Sequence, residues 1–170
     1  MTALVDQLRD ACLVCPTAEA AVNHIKEQVL LWKHQTLPPT SPPRGPVWQG
    51  LEQKTWDAGE ALRQVLQRRK RWRSDVVVDD FVAWVLSQGD LAKGRQPFVE
   101  LCGGLRGPHD ATLVSFLRDP DLRGQAIKAL RARHAFAHGD AVREVVEVDK
   151  RGWVRREGKK YLKACEAASQ

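Results

Sequence analysis

The stretch Asp119-Pro-Asp-Leu-Arg-Gly-Gln-Ala-Ile-Lys-Ala-Leu-Arg-Ala-Arg-His-Ala-Phe-Ala-His-Gly139 carries both a start and a stop signal for a helix. Asp119 suits an N-cap, and Pro120 suits the first helical position, where its missing N–H would have had no partner. Gly139 suits the left-handed residue that follows a helix. The spacing therefore predicts a helix over 120–138. Upstream, Leu4, Val5, Leu8, Ala11, Cys12 and Cys15 recur at helical spacing over 3–15. Thr17 is placed to cap a second helix, reaching about His34, with Ala18, Val22, Ile25, Val29 and Trp32 on one stripe. A longer helix is read over 48–73, another starts at Asp79 or Asp80 and stops at Gly89, and a further one covers 109–118. Residues 89–108 read as loop around the short apolar piece Phe98-Val-Glu-Leu-Cys102.

Two segments break the pattern. Leu37-Pro-Pro-Thr-Ser-Pro-Pro-Arg-Gly-Pro46 holds five prolines and reads as an extended linker over 37–46. After Gly139 the period changes: Arg143-Glu-Val-Val-Glu-Val148 and Trp153-Val-Arg155 flank Asp149-Lys-Arg-Gly152, the look of a β-hairpin at about 143–156. A short basic helix from Lys159 to about Ala168 follows. The fold expected is mainly α: one antiparallel helical bundle over 1–170 with a small C-terminal β-hairpin appended.

Composition narrows the class. With 43% hydrophobic and 28% charged residues the chain reads as globular, and no apolar run is long enough for a membrane span. The N-terminus lacks the basic start and uniform apolar core of a signal peptide, which gives the expectation of a cytoplasmic protein starting at Met1. Cys12 and Cys15 lie on an apolar helical stripe without a second Cys-x-x-Cys, so they read as small buried residues and not as zinc ligands. The net charge of +6 is local: residues 62–73 hold six cations and no acid, and 150–160 hold six cations and Glu157, on an otherwise acidic body. Such patches suit a polyanion, and Arg68, Arg69, Lys70, Arg71, Arg73, Arg155 and Arg156 are the residues expected to meet nucleic acid. Trp72 and Trp153 interleave with these cations, as suits stacking on single strands.

The chemistry-bearing candidates are Arg131, Arg133, His134 and His138. On a continuous helix His134 and His138 share a face, and Arg131 lies two turns before His138. Arg133 is offset by about 140° unless the last turn unwinds. A histidine to move protons and an arginine to grip a phosphate form a minimal kit for cleaving RNA through its own 2′-hydroxyl, without a metal. A paired-histidine metal site is the rival, but position 135 is Ala where zinc proteases carry glutamate, and no metal ligand or cofactor is assigned.

Arg133-His-Ala-Phe-Ala-His138 resembles the Arg-polar-x-x-x-His signature of the HEPN superfamily of helical, mostly RNA-cutting domains. The resemblance covers six to nine residues strongly and the rest by fold class. It implies a metal-independent endoribonuclease of toxin or phage-defence type. Arg133 and His138 would be the catalytic pair, His134 the supporting polar residue and Arg131 a second candidate. It also implies RNA as substrate, a homodimer, and a nucleotidyltransferase-type antitoxin as partner. The alternative from the residues is a noncatalytic helical module that binds nucleic acid or a protein.

Overall fold

The computed structural model describes residues 2–35 and 50–168, so the expected proline-rich linker at 37–46 lies outside the described residues. The chain is mainly helical, and its contacts group it into two compact units, Met1–Pro97 and Phe98–Gln170.

In the first unit, α1 (Ala3–Leu13) starts where the Thr2 hydroxyl accepts from the Val5 N–H, and it buries Val5, Leu8 and Cys12. Helix α2 (Ala18–Gln35) starts likewise at Thr17, whose hydroxyl accepts from the Ala20 N–H at 3.1 Å. Its inner stripe is Ala18, Ala21, Val22, Ile25, Val29 and Trp32. Helix α3 (Gly50–Arg68) packs against both. It stops at Arg68, five residues short of the expected end, and the chain tightens into a 3₁₀ turn, Lys70–Ser74, that tucks Trp72 into the core. Helix α4 (Val76–Ser87) begins earlier than expected: Asp75, not Asp79 or Asp80, is the cap, its carboxylate accepting from the Val77 N–H at 3.1 Å.

Between α4 and α5 (Gln96–Leu101), which spans the boundary of the units, the backbone presses closely on α3. A Cβ at Gly94 would stand 2.7 Å from the Glu52 carbonyl oxygen and 2.8 Å from the Thr55 Cβ, so only glycine fits there. Two residues before it, Ala92 holds φ 40° and ψ −122°, a conformation glycine adopts without penalty and an L-alanine does not. The contact of Gly94 with α3 and the hydrogen bond from Arg95 Nε to the Ala92 carbonyl, 3.1 Å, hold the segment in that shape.

The second unit contains α6 (Asp110–Ser115), α7 (Arg123–Ala132), α8 (Gly139–Val148) and α9 (Gly152–Ala168). Its core gathers Leu113, Leu122, Ala126, Ile127, Leu130, Val142, Val154 and Tyr161, and α9 packs on both α7 and α8. The β-hairpin expected at 143–156 is replaced by the end of α8 and the start of α9; no strand occurs among the described residues. Val142 and Val145, three apart, face the core while Glu144 and Glu147 face outward, so the valines serve a helical period. The connection is set by Asp149, which is 7% exposed and accepts from the Arg151 N–H at 2.8 Å, from the Arg151 guanidinium and from Arg123. Two glycines admit α9: a Cβ at Gly158 would stand 2.2 Å from a Val146 methyl, and one at Gly124 would stand 2.0 Å from the Trp153 ring.

Two outcomes follow from this packing. Ala92→Gly removes backbone strain and should raise the unfolding free energy by about 1 kcal/mol in urea titration; a fall would show that the alanine methyl outweighs the strain. Hydrogen bonds from Arg151, helped by the charge of Arg123, hold the Asp149 carboxyl down at about 2 from an ordinary 3.8. Its contribution is complete above pH 4 and is lost as pH falls from there toward 2. Asp149→Asn should flatten that part of the acid-unfolding profile, and an unchanged acid limb would dismiss the carboxylate as its origin.

Candidate nucleic-acid interface

The expected helix over 120–138 does not run through. A turn opens at Asp119, whose carboxylate accepts from the Asp121 N–H at 2.8 Å, but α7 proper covers Arg123–Ala132. Arg133 follows the last turn, and His134 takes the left-handed conformation, φ 56°, that usually falls to glycine after a helix. A 3₁₀ turn, Phe136–His138, leads into α8, so Gly139 opens a helix and does not close one. His134 and His138 therefore do not share a helical face, and the regular spacing that placed Arg131 above His138 is interrupted.

The side chains diverge accordingly. Arg133 turns toward the segment before α6. Its Nε donates to the Asp110 carboxylate, one terminal nitrogen donates to the carbonyls of Cys102 (2.9 Å) and Leu105 (2.7 Å), and the other donates to Gly107 (2.8 Å). Four of the five N–H groups of the guanidinium are thus engaged, and the side chain is 14% exposed. Arg131 turns to α9 instead, 3.4 Å from the Glu157 carboxylate, which also takes Lys160 at 2.7 Å. His134 is exposed and meets the edge of Phe136. His138 is half-buried; its backbone N–H donates to the Tyr161 hydroxyl at 3.3 Å, and its imidazole makes no hydrogen bond among the described residues.

Tyr161 of α9 organises this crossing. Fully buried, it donates its hydroxyl to the Ala135 carbonyl at 2.5 Å and packs against the edge of Phe136. Burial pushes its phenol up to about 12. The Cys165 thiol, one turn on, reaches the Phe136 carbonyl. The 133–138 segment is therefore stitched down at its carbonyls, while Arg133 is committed to the 102–110 segment and Arg131 to Glu157. Among the described residues no group of three or more His, Cys, Asp or Glu is placed to hold a metal ion. Cys12 is buried, and burial pushes its thiol up to about 12, away from nucleophilic thiolate chemistry.

The basic residues divide into tied and free. In the first unit Arg69 donates to the Leu13 carbonyl at 2.9 Å and lies over the Trp72 ring, and Arg73 donates to the Leu66 carbonyl at 3.2 Å. Arg68, Lys70 and Arg71 are exposed. Trp72 is 5% exposed and has no face to offer a base.

The larger array is on α9. With Val154, Gly158 and Tyr161 turned to the core, Arg155, Arg156, Lys159 and Lys163 fall on the opposite face, within an arc of about 100° and over about 12 Å of helix. All four are exposed and none forms an ion pair among the described residues; Glu166 borders the array at its C-terminal end. Arg155, Arg156 and Lys159 line a shallow groove of about 230 Å³ above Gly152. Beside it Trp153 lies over Gly124 with 36% of its surface open and the Arg151 guanidinium 5.8 Å from its ring. Sequence reasoning found Arg155 and Arg156 but missed Lys159 and Lys163. Their four- and eight-residue spacing from Arg155 was the signal, and it has meaning only once 152–168 is one helix.

Arg133 is placed as a fastener, and its removal should be felt as instability. Arg133→Ala leaves three carbonyls without their donor and should cost about 2–3 kcal/mol in urea unfolding. His138→Ala should stay within about 0.5 kcal/mol. A stable, fully folded Arg133→Ala protein would contradict the fastening role and return that guanidinium to service elsewhere. Compared with known proteins, the chain matches no family model, no curated protein and no solved structure.

Proposed function

We propose that the protein is a noncatalytic helical module that binds the phosphate backbone of nucleic acid through the outer face of α9. The observation that carries this reading is the array of Arg155, Arg156, Lys159 and Lys163, four exposed cations on one face without an acidic partner among the described residues. Cations already neutralised by carboxylates gain little from a phosphate, whereas free ones release the polyanion's counterions. Trp153, 36% exposed, stands beside the array. Arg68, Lys70 and Arg71 form a smaller exposed set in the first unit and supply a second, weaker contact.

The endoribonuclease implied by the HEPN-like signature makes a different demand. Its Arg133 would have to leave a carboxylate and three carbonyls to reach a phosphate, an exchange that costs the loop its donors. The engaged state of that guanidinium favours binding over cutting.

Binding of a single-stranded RNA, followed by anisotropy over a salt series, tests the reading. Replacing Arg155, Arg156, Lys159 and Lys163 together with glutamine should lower the slope of log affinity against log salt by about 3. Replacing Arg68, Lys70 and Arg71 should lower it less. Absence of binding at low salt would overturn the proposal. Cleavage of the RNA in EDTA, abolished by His138→Ala, would replace it with the ribonuclease reading.

A further inference from the structure

We infer that the groove above Gly152 is a subsite for a terminal phosphomonoester of a nucleic acid strand; this rests on the proposed binding by α9. Three cationic side chains, Arg155, Arg156 and Lys159, line one shallow concavity of about 230 Å³. An internal phosphodiester carries a single negative charge and would leave two of them uncompensated. A phosphomonoester near neutral pH carries close to two, with three oxygens for the guanidinium and ammonium donors to reach.

Its place in the array agrees with a strand end. Lys163 and Lys159 continue the cationic face along α9 in one direction. In the other direction the Arg151 guanidinium is already engaged by the buried Asp149 carboxylate, and the charge of Asp121 also acts on it. Ending a strand at the groove places its most highly charged group among three cations free of such partners.

The probes are one twelve-nucleotide single-stranded RNA made with a 5′-phosphate, with a 3′-phosphate and with hydroxyls at both ends, titrated against the full chain. One phosphorylated form should bind about tenfold more tightly than the hydroxyl form, and which one identifies the end that is held. The preference should shrink between pH 7.5 and 5.5, as the phosphomonoester takes up its second proton near pH 6. Arg156→Gln should erase the ratio, whereas Lys163→Gln, outside the groove, should weaken all three forms and preserve it. Equal affinity of the three forms would overturn the subsite while leaving binding along α9 intact. Failure of all three to bind would overturn both, and a ratio that survives Arg156→Gln would place the phosphate elsewhere.

Discussion

The second unit depends on how one guanidinium is spent. The segment from Cys102 to Asp110 runs through glycines and a proline, makes little regular structure, and turns its carbonyls inward. Such carbonyls need donors, and the backbone nearby supplies few. Arg133 supplies them in one rigid fork, from a position just beyond the last turn of α7 where a side chain can leave the helix axis. The demand explains the local fold: α7 must stop at Ala132 for Arg133 to point that way, and His134 must then turn left-handed for the chain to continue into α8. A motif that reads as catalytic when written as letters is a structural junction: its Arg133 side chain serves the main chain of the preceding segment, and its own main chain is served by side chains of α9.

Tyr161 completes this arrangement from the opposite side. Its hydroxyl serves both a carbonyl and an N–H of the 133–138 segment, so the short link between α7 and α8 is fixed by Arg133 at one end and by α9 at the other. These contacts join residues 23 to 31 positions apart. They form only after the local helices exist, and the protection of the link against hydrogen exchange should therefore follow the opening of the whole unit and not local fraying.

Most helices were legible because their apolar residues keep a 3.6 period and because Thr17 stands where a cap is needed. The start of α4 was placed late because Asp79 and Asp80 offer the same chemistry as Asp75, and only the hydrogen bond to Val77 distinguishes them. The hairpin reading failed for a reason inherent in valine-rich segments: Val-Val-Glu-Val satisfies a strand and a helix equally over so short a run, and the choice was made by Gly158 and Gly124, which admit α9 against its neighbours. The break at Ala132 left no mark in local composition, since neither glycine nor proline stands there. Its cause is thirty residues away, in the carbonyls that Arg133 serves. The candidate interface was half legible. Its arginines stood out as a charge run, while its lysines gained meaning only from helical phase.

The glycines under α9 have a consequence for how this surface can change over time. With Trp153 seated over Gly124 and Val146 over Gly158, the helix is keyed in its rotation, because turning it by one residue would drive side chains into both notches. The inner and outer faces are thereby written in separate alphabets. Residues 154, 158 and 161 answer to packing, and 155, 156, 159 and 163 answer to solvent alone. A lineage can exchange, lose or invert charges on the outer face without renegotiating the fold. Homologous chains should therefore vary more in what that helix recognises than in the angle at which they present it.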